Sequence, residues 1–167
     1  MRTVTNPYLR LLDRAGRSPA LDRVVRAADR PARRLVAREP LRRLFGGAAT
    51  GIPLHVIAKD LPFGAWFMAQ FLDLHPDSRR AARRLVGLGL LGAAPAAVSG
   101  WAEWAGCAED RRRVGVLHAA ATGTATVVFF GSWAARARGR ERAGIRLSRC
   151  GAAILVVGGF LGGHVGR

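Results

Sequence analysis

From Gly51 onward, long apolar runs alternate with short charged turns, and that alternation predicts most of the architecture. Four runs stand out, at 52–74, 85–104, 114–135 and 147–165. Each is about 20 residues long, enough to cross the ~30 Å hydrocarbon layer of a bilayer as a helix. Backbone N–H and C=O groups in lipid must be satisfied within the segment, which leaves helix as the conformation open to these runs. The turns Asp77-Ser78-Arg79-Arg80 and Glu109-Asp110-Arg111-Arg112-Arg113, with a longer basic loop at 136–146, make neighbouring runs antiparallel. The expectation is an all-α integral membrane protein, an antiparallel four-helix transmembrane bundle over 51–167.

Residues 1–50 have a different pattern. Asn6-Pro7 and Ser18-Pro19 each place an N-cap residue ahead of a proline suited to the first helical position. After Ser18, Leu21, Val24, Val25 and Ala28 follow helical spacing while Asp22, Arg23, Arg26 and Asp29 face away. Pro31 is expected to end that helix, and shorter apolar pieces continue beyond Pro40. This arm predicts two or three short amphipathic helices lying on the membrane surface, their arginines against anionic lipid headgroups. The same apolar face is also suited to docking on a partner helix, and its high charge to a solvated arm.

Within the spans, small residues recur at four-residue spacing: Gly115, Ala119 and Gly123, then Gly158 with Gly162 and Gly159 with Gly163. Such rows let helix backbones approach closely. Trp101, Trp104 and Trp133 stand near span ends, where an interfacial belt belongs. Pro95 is expected to kink the second span mildly.

Composition adds a strong positive bias, 27 Lys plus Arg against 11 Asp plus Glu, with Lys59 the single lysine. A basic protein can bind nucleic acid, anionic lipid or an acidic partner. Here the charge lies in the arm and the turns, flanking apolar runs, so lipid is the expected partner and nucleic acid is not. Arginines near the spans divide nine and nine between the two sides, so orientation rests on the charged first fifty residues, which favour both termini on the cytoplasmic side. Cys107 and Cys150 fall on opposite sides of the membrane and cannot form a disulfide within one chain. No nucleophile–base pair or nucleotide loop is present, which argues against a soluble enzyme.

The candidate chemistry comes from threading the spans alternately through the membrane. His55 opens the first, His118 lies a turn into the third and His164 closes the fourth, so all three share one leaflet, with Glu103 at the end of the second on the same side. Imidazole suits Zn, Cu and Fe, and sites inside bundles are built from inward side chains of facing helices. Two readings stay open: a histidine-lined haem or transition-metal site, or histidines that only bond neighbouring helices, with no cofactor. Lys59 and Asp60 are the other intramembrane charges. Asp60 lies ~7–8 Å deeper than His55, and adjacent helical positions do not face each other, so no simple pair is expected. His75, beside Pro76 on the opposite face, reads as an interfacial or capping residue.

The stretches Leu54-His55, Leu61-Pro62-Phe63-Gly64-Ala65-Trp66 and Leu72-Asp73 resemble the opening of the bacterial four-span membrane family called domain of unknown function 2231. Pro95 to Trp104, Arg113-Val114-Gly115-Val116-Leu117-His118-Ala119 and Gly158-Gly159-Phe160-Leu161-Gly162-Gly163-His164 are similar to its second-span exit, third-span entry and fourth-span exit. The resemblance implies a multi-pass protein of the bacterial inner membrane. Some members of that family are fused to a Rieske-type iron–sulfur domain, which implies an anchor or redox-associated subunit with an iron–sulfur or other electron-transfer partner; a homo-oligomer is a separate expectation, from an outward-facing small-residue row. This chain departs from the family at Ile52, where a second histidine is common, and it ends at Gly166-Arg167 in place of a Tyr-containing tail. It contains no cysteine–histidine box of its own.

Overall fold

The computed structural model describes residues 6–165, and every regular element among them is helical. In chain order these are α1 (Pro7–Gly16), α2 (Asp22–Leu35), α3 (Glu39–Phe45), α4 (Leu54–Ala58), α5 (Asp60–Leu72), α6 (Arg79–Trp104), α7 (Glu109–Ala137) and α8 (Glu141–Val165). Three helical segments are long and apolar enough to cross a membrane: Pro76–Trp104, Glu109–Ala137 and Glu141–Gly163.

The first apolar run is not one continuous span. It breaks at Lys59 into α4 and α5, and α5 alone has 13 residues, ~20 Å of helix against a ~30 Å layer. Pro62 is the cause. It has no N–H to give the carbonyl of Ala58, so the ladder loses a bond in the first turn of α5. The break also revises the reading of Lys59 and Asp60, whose side chains do pair, Nζ to Oδ1 at 2.9 Å, while 51% and 73% exposed. The long lysine stem reaches around the interrupted turn, and Asp60 stands where α5 begins, favourable for a carboxylate beside free N–H groups.

Elsewhere helices extend beyond the apolar runs. α6 starts within the basic turn, α7 includes Glu109 to Arg113, and α8 starts at Glu141. The connection after α7 shrinks to a turn around Gly139, at φ +74°, where the N–H of Arg140 returns to the carbonyl of Ala135 at 2.9 Å. α6 passes through Pro95 without interruption.

The core is a column of large side chains from α5 and α7 set against small ones. Trp66 and Phe129 stack with centroids 4.2 Å apart, 2% and 0% exposed, among Ala69, Ala82, Val86, Ala125 and Leu155. Gly89 of α6 and Gly151 of α8 lie directly against the two rings; a Cβ at Gly89 would collide with Trp66, and one at Gly151 would press on Phe129 at 3.1 Å. Trp66 donates its indole N–H to the carbonyl of Val86 at 3.1 Å, so its polar edge is satisfied in the apolar interior.

The arm folds back onto the end of the bundle formed by the α6–α7 connection. Val25 and Ala32 of α2 share a buried cluster with Trp104, Ala105 and Val116, and Asp29 and Asp22 reach Arg112 (2.5 Å) and Arg113 (2.7 Å). Leu21, Val25 and Ala28 of the apolar face expected on a lipid surface thus pack on the chain's own helices, while Val24 stays exposed. Pro31 does not end α2, which runs on to Leu35. Val25, Ala28 and Ala32, before and after the proline, lie on that packed stripe, and their burial outweighs one missing hydrogen bond. Trp104 belongs to this joint as well, 4% exposed, donating to the carbonyl of Arg112 at 2.9 Å with that residue's guanidinium over its ring.

Candidate functional site

Of the residues expected to form a site, the structure brings His55 and His118 together. Their rings meet edge to face with centroids 6.5 Å apart. His55 Nδ1 lies 2.9 Å from the carbonyl of Ala96 on α6, and His118 Nδ1 lies 2.8 Å from the carbonyl of Gly158 on α8. A carbonyl oxygen only accepts, so each Nδ1 must carry the hydrogen, and in the neutral ring the lone pair is on Nε2. Each ring also lies over a glycine four positions beyond its carbonyl. A Cβ on Gly100 would be 3.0 Å from His55 Cε1, and one on Gly162 would be 2.8 Å from His118 Cε1. The four-residue glycine spacing that marked helix packing is therefore, at Gly158 and Gly162, a seat for an imidazole.

Glu103 follows Gly100 by three positions on α6 and bonds to neither ring among the described residues. It stands in the last turn of α6, where its carbonyl contacts Cys107 Sγ at 3.7 Å, and its Oε2 is buried with no partner among the described residues. The side chain of His164 lies outside the described residues; its backbone is in the last turn of α8. No group of three or more His, Cys, Asp or Glu suited to a metal ion occurs among the described residues. Cys107 and Cys150 are both free thiols, half-buried and exposed respectively. Burial pushes the Cys107 thiol above its usual range. His75 is exposed ahead of the short turn Pro76–Ser78 and makes no capping hydrogen bond with its side chain.

The far end of the bundle holds a polar centre that the run-by-run reading missed. Arg136 grips Asp73 with both terminal nitrogens, at 2.6 and 2.5 Å, and the two side chains are 0% and 1% exposed. Arg136 Nε donates to Ser132 Oγ at 3.3 Å, and that hydroxyl donates to the carbonyl of Gly144 at 2.7 Å. Gln70 joins the layer by donating to Ser148 Oγ at 2.8 Å. Arg136 is a core residue, not a member of a solvated loop.

The pairs follow one rule. His55 and His118, Trp66 and Phe129, and Asp73 and Arg136 are each 63 positions apart. The small residues that seat them, Gly89 with Gly151 and Gly100 with Gly162, are offset by one residue fewer. The hairpin of α4, α5 and α6 therefore matches the hairpin of α7 and α8 position for position, and matched residues meet on the axis between them. Contact of a position with its own equivalent is what a two-fold axis along the bundle produces. No protein-family model, curated protein or solved structure matches the chain; the resemblance to the four-span family has its residues alone behind it.

Proposed function

We propose that this chain is a multi-pass membrane protein that crosses the bilayer four times, and that His55 and His118 hold a transition-metal ion in a membrane anchor or redox-associated subunit. The observation behind the site is the commitment of both Nδ1 atoms to backbone carbonyls, with two Nε2 lone pairs left on rings 6.5 Å apart. Imidazoles that bind metals are held in this way, the second ring nitrogen donating to a backbone carbonyl or a carboxylate. Two neutral nitrogens suit Cu or Zn, and a bound ion would supply one-electron chemistry only in the first case. Haem suits the pair less well, because both rings already rest on helix backbones at Gly100 and Gly162.

The four crossings count α4 and α5 together as the first, about 28 Å of interrupted helix. The exposed apolar side chains Leu61, Phe63, Met68 and Phe71 support a lipid-facing surface on this segment. Four crossings put both ends of the chain on one side, the cytoplasmic side in this reading, within reach of an electron-transfer protein. A cofactor-free interaction module is the competing reading, and the glycine seats favour it, since they account for both rings as packing elements. The two separate on purification in mild detergent, with metal analysis and a visible spectrum. We expect about one metal ion per chain, lost in His118→Ala and kept in His75→Ala. Metal-free protein with no Soret band after careful preparation would eliminate the cofactor.

A further inference from the structure

The start of α6 carries Arg79, Arg80, Arg83 and Arg84, and these line a cavity of about 420 Å³ together with Glu141 of α8. That volume is within the roughly 300–1,000 Å³ of small-molecule sites. None of the four arginines is in an ion pair among the described residues, and Arg79 Nε is buried without a partner. The one carboxylate in the lining, Glu141, has its Oε2 3.9 Å from Arg136, and a single acid against four arginines leaves the cavity positive. Two of the arginine pairs are four residues apart on the same helix, where like charges repel. The other hairpin has no such cluster: Glu141, Arg142, Ala143, Gly144, Ile145 and Arg146 stand at the equivalent positions.

The face continues in one direction. Arg80, Arg84, Leu88 and Leu91 follow one stripe of α6, and the leucines are 43% and 75% exposed. Guanidinium groups thus give way, within two turns, to bare apolar side chains at the point where the membrane-length run begins. Basic pockets beside membrane helices take the phosphate of lipid headgroups, and arginine forks match phosphate oxygens in pairs. We propose that this cavity is a binding site for an anionic phospholipid, its phosphodiester on the four arginines and an acyl chain along Leu88 and Leu91. A hydroxyl on the headgroup would give Glu141 a donor, which favours phosphatidylglycerol chemistry. The site rests on the membrane reading but is independent of the histidine pair.

The test uses full-length protein in neutral detergent, with lipid binding read by native mass spectrometry. The probes are phosphatidylglycerol, phosphatidylcholine and glycerol phosphate. Phosphatidylglycerol is expected to bind about tenfold more tightly than either of the others. Arg80→Gln with Arg84→Gln, both at exposed positions, should remove that preference, while Arg138→Gln with Arg140→Gln at the same end should change it less than about twofold. Leu88→Ser with Leu91→Ser should weaken phosphatidylglycerol and leave glycerol phosphate unchanged. Equal losses in the two arginine pairs would overturn the site in favour of diffuse charge. Glycerol phosphate binding as tightly as the lipid would overturn the lipid in favour of a soluble phosphoester. Membrane residency is read separately, by fractionation, so its failure is distinguishable from failure of the site.

Discussion

Asp73 and Arg136 show how much one residue can alter the reading of a chain. In the sequence, Arg136 follows an apolar run and opens an arginine-rich stretch, which has the appearance of a solvated loop. What marks it is position: Asp73 ends the first run and Arg136 the third, so threading places an acid and a base at the same level. Their burial makes the pair sensitive to unequal change. Removing one partner strands a charge, at a cost of about 3–5 kcal/mol, whereas replacing both by apolar residues is close to neutral. Arg136→Ala should therefore destabilise the bundle by about that amount in reversible unfolding in mixed micelles, and Asp73→Leu with Arg136→Leu by much less. Equal losses in the single and double variants would show that shape, not charge, holds this layer. The histidines were legible by the same threading, because His55 and His118 begin odd-numbered runs. Glu103 follows Ala96 and Gly100 at helical spacing on α6, yet no hydrogen bond joins it to either ring among the described residues.

At the scale of elements, the apolar periodicity located the helices but not their ends or partners. α6, α7 and α8 extend into charged sequence because arginines continue a helix readily once its apolar face is packed. Pro31 and Pro62 are alike in the sequence and differ in effect. The stripe of α2 is packed before and after its proline, whereas Pro62, though buried itself, is preceded by the exposed residues Lys59, Asp60 and Leu61. The docking of the arm rests partly on Asp29, whose carboxyl is held below the ordinary carboxylate range by hydrogen bonds from Arg33 and Arg112, against the opposing effect of burial. Only the Arg112 part of that lowering crosses to α7; it stabilises the docked state above the unfolded value near 3.9 and is lost as pH falls through the lower folded value. Protection of the α2 amides, taken relative to their intrinsic exchange rate at each pH, should accordingly stay high at neutral pH and fall below about pH 4. Asp29→Asn should loosen the arm at neutral pH too. In a Cys150→Ser background, this would appear as severalfold faster alkylation of Cys107, which lines the groove beside α2. Unchanged alkylation would mean that the apolar contacts alone hold the arm.

Beyond the arm, the molecule is two equivalent hairpins whose buried equivalent residues Asp73 and Arg136 carry unlike charges. Two copies of the first hairpin would bring two buried carboxylates together on the axis, and two copies of the second would bring two guanidinium groups. Co-expressed as fragments divided between Gly106 and Cys107, the tagged first fragment should capture the second and not an untagged copy of itself; capture of its own kind would refute this account of the pairing. The same feature sets an order of events during synthesis. Asp73 leaves the ribosome 63 residues ahead of Arg136, which at roughly 5–20 residues per second is about 3–13 seconds. Through that interval the first hairpin carries an uncompensated acid at the foot of its core. That charge is answered only when Arg136 follows the third long apolar run, and α8, made last, closes the bundle over the pair.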